Sequence, residues 1–428
     1  MKRKNALRFY KAQSARRRIM VVVARVLITM GWLVGAPAFA DRIQVVSHSS
    51  TLEHPLVKAR APAQDERDFR TEGCSRLTRN EEAAAEGLAD RIKERIAHRV
   101  KGYSIAVAKD CRLAATLAGG VAVTAVDTGD APDLMTVAHR SAMGSVAKLI
   151  TAVTIVQELE AQGIDPDSSI TPYLEMFWDL DEVGYKAELS WTNLLNQTSG
   201  INSSSTTSEL AYGYLGEFLS TADAEKGFKY DNANAGILRV LLWGLVSGSA
   251  PAGNADQIEA STAQYFQMHV RDFVFSPISI DDAWCAPDGA TSHAYQYAAV
   301  DATNGWLPTT SQAMEWCGPG GWFLSSVELV KLAVYLRHTD LLMSFDMRDR
   351  LDADRLGWDT PTDGWPAILK PGKKRHIRFK AGENGGRSCV MDFMNGTEVA
   401  VVINSADLSG PALCDAVATA YYDPGVWQ

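Results

Sequence analysis

Three short segments carry side chains that together suit nucleophilic acyl chemistry. Ser145-Val146-Ala147-Lys148 sets a hydroxyl and an amine three residues apart at the start of an apolar helix, a spacing that puts both on one helix face. A serine hydroxyl is a poor nucleophile until a neighbouring base takes its proton, and a buried lysine near other cations is pushed toward the neutral form that can do so. The helix N-terminus adds positive potential and free N–H groups at the same place. Tyr230-Asp231-Asn232 precedes a second apolar helix; its phenol can accept or relay a proton, and its amide can bind a substrate carbonyl. Lys380-Ala381-Gly382 ends a predicted strand and is followed by Gly385-Gly386, which presents a cation and closely approaching backbone at a strand edge. Each segment alone also has a plain structural reading: an N-cap serine with a solvated lysine, a core tyrosine with its hydroxyl tied to backbone, and an edge-strand lysine that blocks sheet pairing.

Such side chains need rigid elements, and the hydrophobic pattern predicts them. Residues 81–100 have the Ala, Leu and Ile spacing of an amphipathic helix, and residues 103–108 and 113–123 read as strands joined by the polar turn Lys109-Asp110. From Ser145 to Gln162, Val146, Leu149, Ile150, Val153, Val156 and Leu159 recur at helical spacing, with Gly163 as the stop. Residues 165–275 read as helix and loop, with a strong helix at 235–246 and a Pro/Gly linker at 248–254, while 276–321 are rich in Pro, Gly, Trp and Asp and read as long loops around a cleft. A helix at 329–336 follows. The tail returns to strands at 377–380, 388–393 and 399–403, with Asn395-Gly396 as a hairpin turn, and closes on a helix at 413–421. Strands at both ends with helices between them predict an α/β (α+β) chain whose sheet is assembled from distant segments, with an α-rich lobe at about 165–320.

Composition narrows the function. The 428 residues carry 42 Lys and Arg against 51 Asp and Glu, and nine of the bases stand in residues 1–40, leaving 33 (42 less 9) against 51, a net charge of −18. So acidic a body, with no basic stripe, would repel a phosphate backbone, which excludes nucleic acid as a partner. The eight His and six Cys show no metal-ligand spacing, and no phosphate-cradling glycine loop is present, so neither a metal nor a cofactor is expected. Basic residues, an apolar run from Ile19 to Val34 and the exit Ala36-Pro37-Ala38-Phe39-Ala40 form a secretory signal over 1–40 with cleavage after Ala40. The alternative is an uncleaved anchor, against which Arg25 interrupts the apolar run; Arg16-Arg17-Arg18 leaves the twin-arginine route open beside the general one. An irregular leader at 41–80 follows, and no later stretch reaches the ~20 apolar residues of a membrane helix, so the mature protein is expected to be periplasmic or secreted. Six exported cysteines suit disulfides. Ease of loop closure points to three sequential pairs (Cys74 with Cys111, Cys285 with Cys317, Cys389 with Cys414), buried free thiols being the alternative. The run Lys370, Lys373, Lys374, Arg375, His376 and Arg378 reads as a solvated turn.

In order and context the three segments resemble the class C β-lactamase, DD-peptidase and esterase superfamily of penicillin-recognising serine hydrolases. Residues 139–174, which include His139-Arg140-Ser141-Ala142-Met143-Gly144-Ser145 and Ile170-Thr171-Pro172-Tyr173-Leu174, resemble its nucleophile helix and following loop. Residues 191–201 are similar to its "LLTHTSG" segment, and Gly320-Gly321-Trp322-Phe323-Leu324-Ser325-Ser326 to its Gly-Gly-x-x-Ser-Ser/Thr turn. The resemblance covers about residues 100–405. It implies a β-lactamase/transpeptidase-like fold, an antiparallel sheet flanked by helices with an α-rich lobe, within a hydrolase domain at 81–428. It also implies roles: Ser145 as acylated nucleophile, Lys148 and Tyr230 as proton-transfer pair, Asn232 as binder of the acyl-side amide or carbonyl, Lys380 as the source of the field around them. The N–H groups of Ser145 and of Glu383, after Gly382, would form the oxyanion hole.

The chain departs from the family pattern at Ala381, where β-lactamases and DD-peptidases usually have Thr or Ser; the missing hydroxyl would help hold a substrate carboxylate. That favours an ester or amide substrate, small molecule or peptide, of the carboxylesterase, amidase or D-amino-acid peptidase type, with β-lactamase or DD-carboxypeptidase as the alternative. Lys380 and Arg387 are still available to attract an anionic group. A catalytically silent envelope protein that binds in the same cleft is the rival of another class, and it would be expected to lack at least one of the nucleophile, Lys or Tyr. All three are present.

Overall fold

Apolar runs from the two ends of the chain meet in one antiparallel sheet. The computed structural model describes residue 74 and residues 76–423 apart from 204–209, 289–290, 296–304, 308–313, 362–364, 370–376 and 406. All of these fall in the compact unit Arg67–Gln428; the other unit, Met1–Glu66, lies outside them, and with it the expected signal segment, as do most of the leader and the basic run 370–376. The strands are β1 (Gly102–Lys109), β2 (Arg112–Val123), β3 (Asp133–Leu134), β4 (Ser141–Ala142), β5 (Phe323–Leu324), β6 (Arg378–Asn384), β7 (Gly386–Asp392) and β8 (Thr397–Ile403). β4 and β5 form a separate pair; the rest lie in the order β3-β2-β1-β8-β7-β6, every neighbour antiparallel. The longer helices are α1 (Arg79–Ile96), α2 (Ala147–Gln162), α3 (Tyr212–Leu219), α4 (Asn232–Ser247), α5 (Ala255–Val270), α6 (Ser326–His338), α7 (Phe345–Ala353) and α8 (Gly410–Tyr422).

Strand alternation divides the packing into two layers. Ile105, Val107, Met391, Val399 and Val401 face a core closed by α1 and α8, while Ala106, Ala108, Val390, Ala400 and Val402 face a larger core built with α2, α4 and α6. Leu88, Ile92 and Ile96 of α1 are fully buried, and burial of each such side chain is worth about 1.5–3 kcal/mol. The helix begins two residues before the predicted start because Thr78 and Glu81 form a reciprocal capping box. The expected turn at Lys109-Asp110 moves one residue on: Lys109 still pairs with Arg112, and Asp110 and Cys111 take φ of 47° and 61°, the two positive values a two-residue hairpin turn requires.

The disulfides Cys74–Cys111, Cys285–Cys317 and Cys389–Cys414 are the three sequential pairs expected from the sequence. They close loops of 37, 32 and 25 residues, each worth roughly 3–4 kcal/mol. Among the described residues no helix is long and apolar enough to cross a membrane, and no three His, Cys, Asp or Glu are grouped to hold a metal.

Candidate active site

Ser145 stands in a tight helical turn, Gly144–Val146, that leads into α2. The turn is wedged against the sheet edge so closely that two glycines are obligatory. A Cβ on Gly144, whose φ is 52°, would lie 2.3 Å from the Glu383 nitrogen, and one on Gly382 would lie 1.9 Å from the Met143 carbonyl oxygen. Met143 is pinned from both sides, its carbonyl accepting from Ser388 Oγ at 2.6 Å and its N–H donating to the Trp322 carbonyl at 2.8 Å. The segment that includes Trp322 also reaches Lys148, through the Pro319 carbonyl.

Lys148 follows one turn after Ser145, only 4% exposed. Its ammonium nitrogen donates to Ser145 Oγ at 3.1 Å, Asn232 Oδ1 at 2.7 Å and the Pro319 carbonyl at 2.9 Å, all neutral acceptors. Burial therefore pushes Lys148 below the ordinary lysine value; Tyr230 opposes this in part and the charge of Lys380 adds to it.

The Tyr230 hydroxyl meets the same Ser145 Oγ at 2.5 Å. Burial works against its phenolate, but the ammonium groups of Lys148 and Lys380, 4.8 and 5.3 Å from the ring centre, outweigh it and hold the hydroxyl below the ordinary tyrosine value. The tyrosine is 44% exposed, so solvent screens part of this effect. The segment 191–201 fixes it in place. Gln197 Oε1 accepts from the Asp231 N–H at 2.8 Å and from Asn234 Nδ2 at 3.0 Å, and Asp231 caps α4 through the Ala233 N–H. Asn232 is thereby the first residue of α4, its amide oxygen turned to Lys148.

Lys380 lies in the middle of β6 and not at a strand end as the glycines after it suggested. Gly385, with φ of 70°, is instead the hairpin turn, and pairing continues through Glu383 with Arg387 and Asn384 with Gly386. The lysine is 2% exposed and its ammonium meets Asp359 Oδ1 at 2.5 Å. Burial disfavours its charge, but Asp359 and Tyr230 outweigh that and hold it above the ordinary lysine value. Asp359, 7% exposed, also accepts the Ala381 N–H at 2.8 Å and donates its own N–H to the Phe379 carbonyl at 3.0 Å. Residues 379 and 381 thus point their backbone polar groups off the open edge of the sheet, and alternation puts the Glu383 N–H on that side too, beside Gly144.

The structure thus brings together Ser145, Lys148, Tyr230, Asn232 and Lys380, with the backbone of Gly382 and Glu383 packed on the serine turn. It takes two side chains elsewhere. The Ala381 methyl packs with the core under α8, and the Glu383 carboxylate accepts the Gly410 N–H at 2.6 Å at the start of that helix. Arg387 donates to the carbonyls of Gly385 and Gly386 in its own hairpin. Asp359 went unread in the sequence; its only signal is indirect, since a lysine buried in a strand needs a counter-ion.

The Beta-lactamase family model matches residues 88–420, and the chain belongs to that family, whose members are typically serine hydrolases. Its fold is shared by several solved structures. The octameric penicillin-binding protein homologue from Pyrococcus abyssi is 16% identical, with 78% of this chain and 76% of that one covered at a TM-score of 0.56. For the D-amino acid amidase from Ochrobactrum anthropi SV3 the figures are 16%, 79%, 97% and 0.55, and for the beta-lactamase/D-alanine carboxypeptidase from Pseudomonas syringae 13%, 78%, 98% and 0.55. No curated protein matches the chain.

Proposed function

We propose that the protein is an exported serine hydrolase that cleaves an ester or amide through a covalent acyl-enzyme. The observation that carries this is the double contact on Ser145 Oγ, from Lys148 Nζ at 3.1 Å and Tyr230 OH at 2.5 Å. As Oγ attacks the substrate carbonyl, Lys148 with Tyr230 takes its proton, and negative charge develops on the carbonyl oxygen. The N–H groups of Ser145 and Glu383 receive that charge, a contribution worth several kcal/mol, on the order of 3 per donor. Collapse expels the alcohol or amine, which the same pair protonates; water, deprotonated in turn, then releases the acid and restores the serine.

Esters, amides and D-amino-acid peptides are the preferred substrates, a reading supported by the neighbour named a D-amino acid amidase; the Ala381 methyl, turned into the core under α8, does not bear on the choice. A β-lactam or D-alanyl peptide is the second reading, supported by the family and by the neighbours named for penicillin binding and D-alanine carboxypeptidase activity. Three disulfides suit an oxidising compartment, in keeping with a signal at 1–40 ahead of a hydrolase domain at 81–428. Turnover of p-nitrophenyl esters, D-amino-acid p-nitroanilides and a chromogenic cephalosporin, each with wild type and Ser145→Ala, tests the proposal. Ser145-dependent hydrolysis of the first two supports it, cephalosporin turnover alone moves the assignment to the second reading, and full activity of Ser145→Ala contradicts both.

A further inference from the structure

We propose that Asp359 is a positioning residue that decides which of the two buried lysines carries a proton, holding Lys380 as ammonium and so leaving Lys148 as the amine that serves Ser145. This rests on the hydrolase reading above. Its basis is an asymmetry of partners. Lys380 is joined to a carboxylate, Asp359 Oδ1 at 2.5 Å, whereas the Lys148 nitrogen meets only a hydroxyl, an amide oxygen and a carbonyl; as an amine it donates to the last two and offers its lone pair to the Ser145 hydroxyl. A buried charge is tolerated where an opposite charge meets it and shed where none does.

The aspartate is itself held from several directions, so its carboxylate has little freedom to turn away. Its backbone N–H and Oδ2 bracket β6 at Phe379 and Ala381, and Arg355 Nη1 donates to its carbonyl at 2.7 Å. The other charged or titratable groups facing the pair are Tyr230 and Lys148 from the cleft and Arg355 from the preceding turn, beside which stands Arg378 of β6. Arg378 is already engaged with Asp352 at 3.1 Å and Asp392 at 3.2 Å, and so does not compete for Asp359.

The sign of the effect follows. Reaction needs Lys148 neutral and Lys380 charged, so the rate rises with pH through the first titration and falls through the second. Asp359→Asn keeps an acceptor for the Ala381 N–H but removes the counter-ion, and the falling limb moves to lower pH by about one unit or more. The readout is the rate of Ser145 labelling by a fluorophosphonate across pH, on the full chain, which does not depend on the natural substrate. Asp359→Glu, which restores the charge, returns the limb toward its wild-type position. A folded Asp359→Asn protein that labels more slowly at every pH with both limbs in place overturns the inference and leaves the hydrolase reading standing. A wild type that takes no label at Ser145 overturns both. Should Asp359→Asn not fold, 13Cε-lysine NMR on the wild type, assigned with Lys148→Arg and Lys380→Arg, reads the same order: Lys380 titrating above Lys148 supports it, and the reverse overturns it.

Discussion

Lys148 and Lys380 both lie against the Tyr230 ring, 4.8 and 5.3 Å from its centre, and both are almost wholly buried. Yet one is held below the ordinary lysine value and the other above it. Lys148 comes from the first turn of a helix in the larger core and finds only neutral acceptors; Lys380 comes from an edge strand and finds a carboxylate supplied by the turn after α7. Burial makes a lysine's charge costly in both places, and the presence or absence of a counter-ion decides the outcome. On the proposed function, a base and a fixed cation, two roles an acyl-transfer site needs at one pH, are made from the same residue type.

The largest expected effect removes the group that both lysines serve. Ser145→Ala should cut turnover by about 10⁴-fold or more with the melting temperature retained. Lys148→Met should slow acylation by about 10³-fold, since a positioned base is worth 10²–10⁴; Lys380→Met, acting through Tyr230, should cost about tenfold less. Rapid-mixing measurement of the acylation step ranks them, and equal losses would break the distinction between base and cation. In wild type the pH profile should be a bell, rising as Lys148 loses its proton below the ordinary lysine range and falling as Lys380 loses its own above it.

Gly382→Ala sharpens the contrast from the strand side. Its Cβ would meet the Met143 carbonyl at 1.9 Å and drive β6 off the serine turn. Loss of an aligned oxyanion donor should lower kcat by about 10²-fold while the limbs of the pH profile stay in place. The smallest effect on chemistry is expected behind the strand. Opening Cys389–Cys414 by Cys389→Ser with Cys414→Ser should cost roughly 2–4 kcal/mol in denaturant unfolding and leave kcat within a few-fold.

Much of this was legible in residue spacing. Ser145 and Lys148 could be paired because a helix brings residues three apart onto one face, and the strands at 103–108 and 399–403 could be seen because they are short, nearly continuous apolar runs, as strands buried on both faces are. Helix α5 was not resolved as an element, since Ile258, Ala263, Phe266 and Val270 are spread thinly among polar residues and its start depends on the Asn254–Gln257 capping box. Lys380 was placed at a strand end because paired glycines read as a break, although one of them serves the hairpin turn. Asp359 was out of reach for a different reason: it sits 21 residues from the lysine it pairs with, in a segment without periodicity, and the sequence holds 51 acids from which to choose.

The most direct test is covalent labelling of the purified protein with a fluorophosphonate, read by intact mass and peptide mapping, with Ser145→Ala beside it. A single adduct on Ser145 in wild type and none in the variant is the predicted result. Equal labelling of both proteins, or none in a folded wild type, would contradict an activated serine at this site.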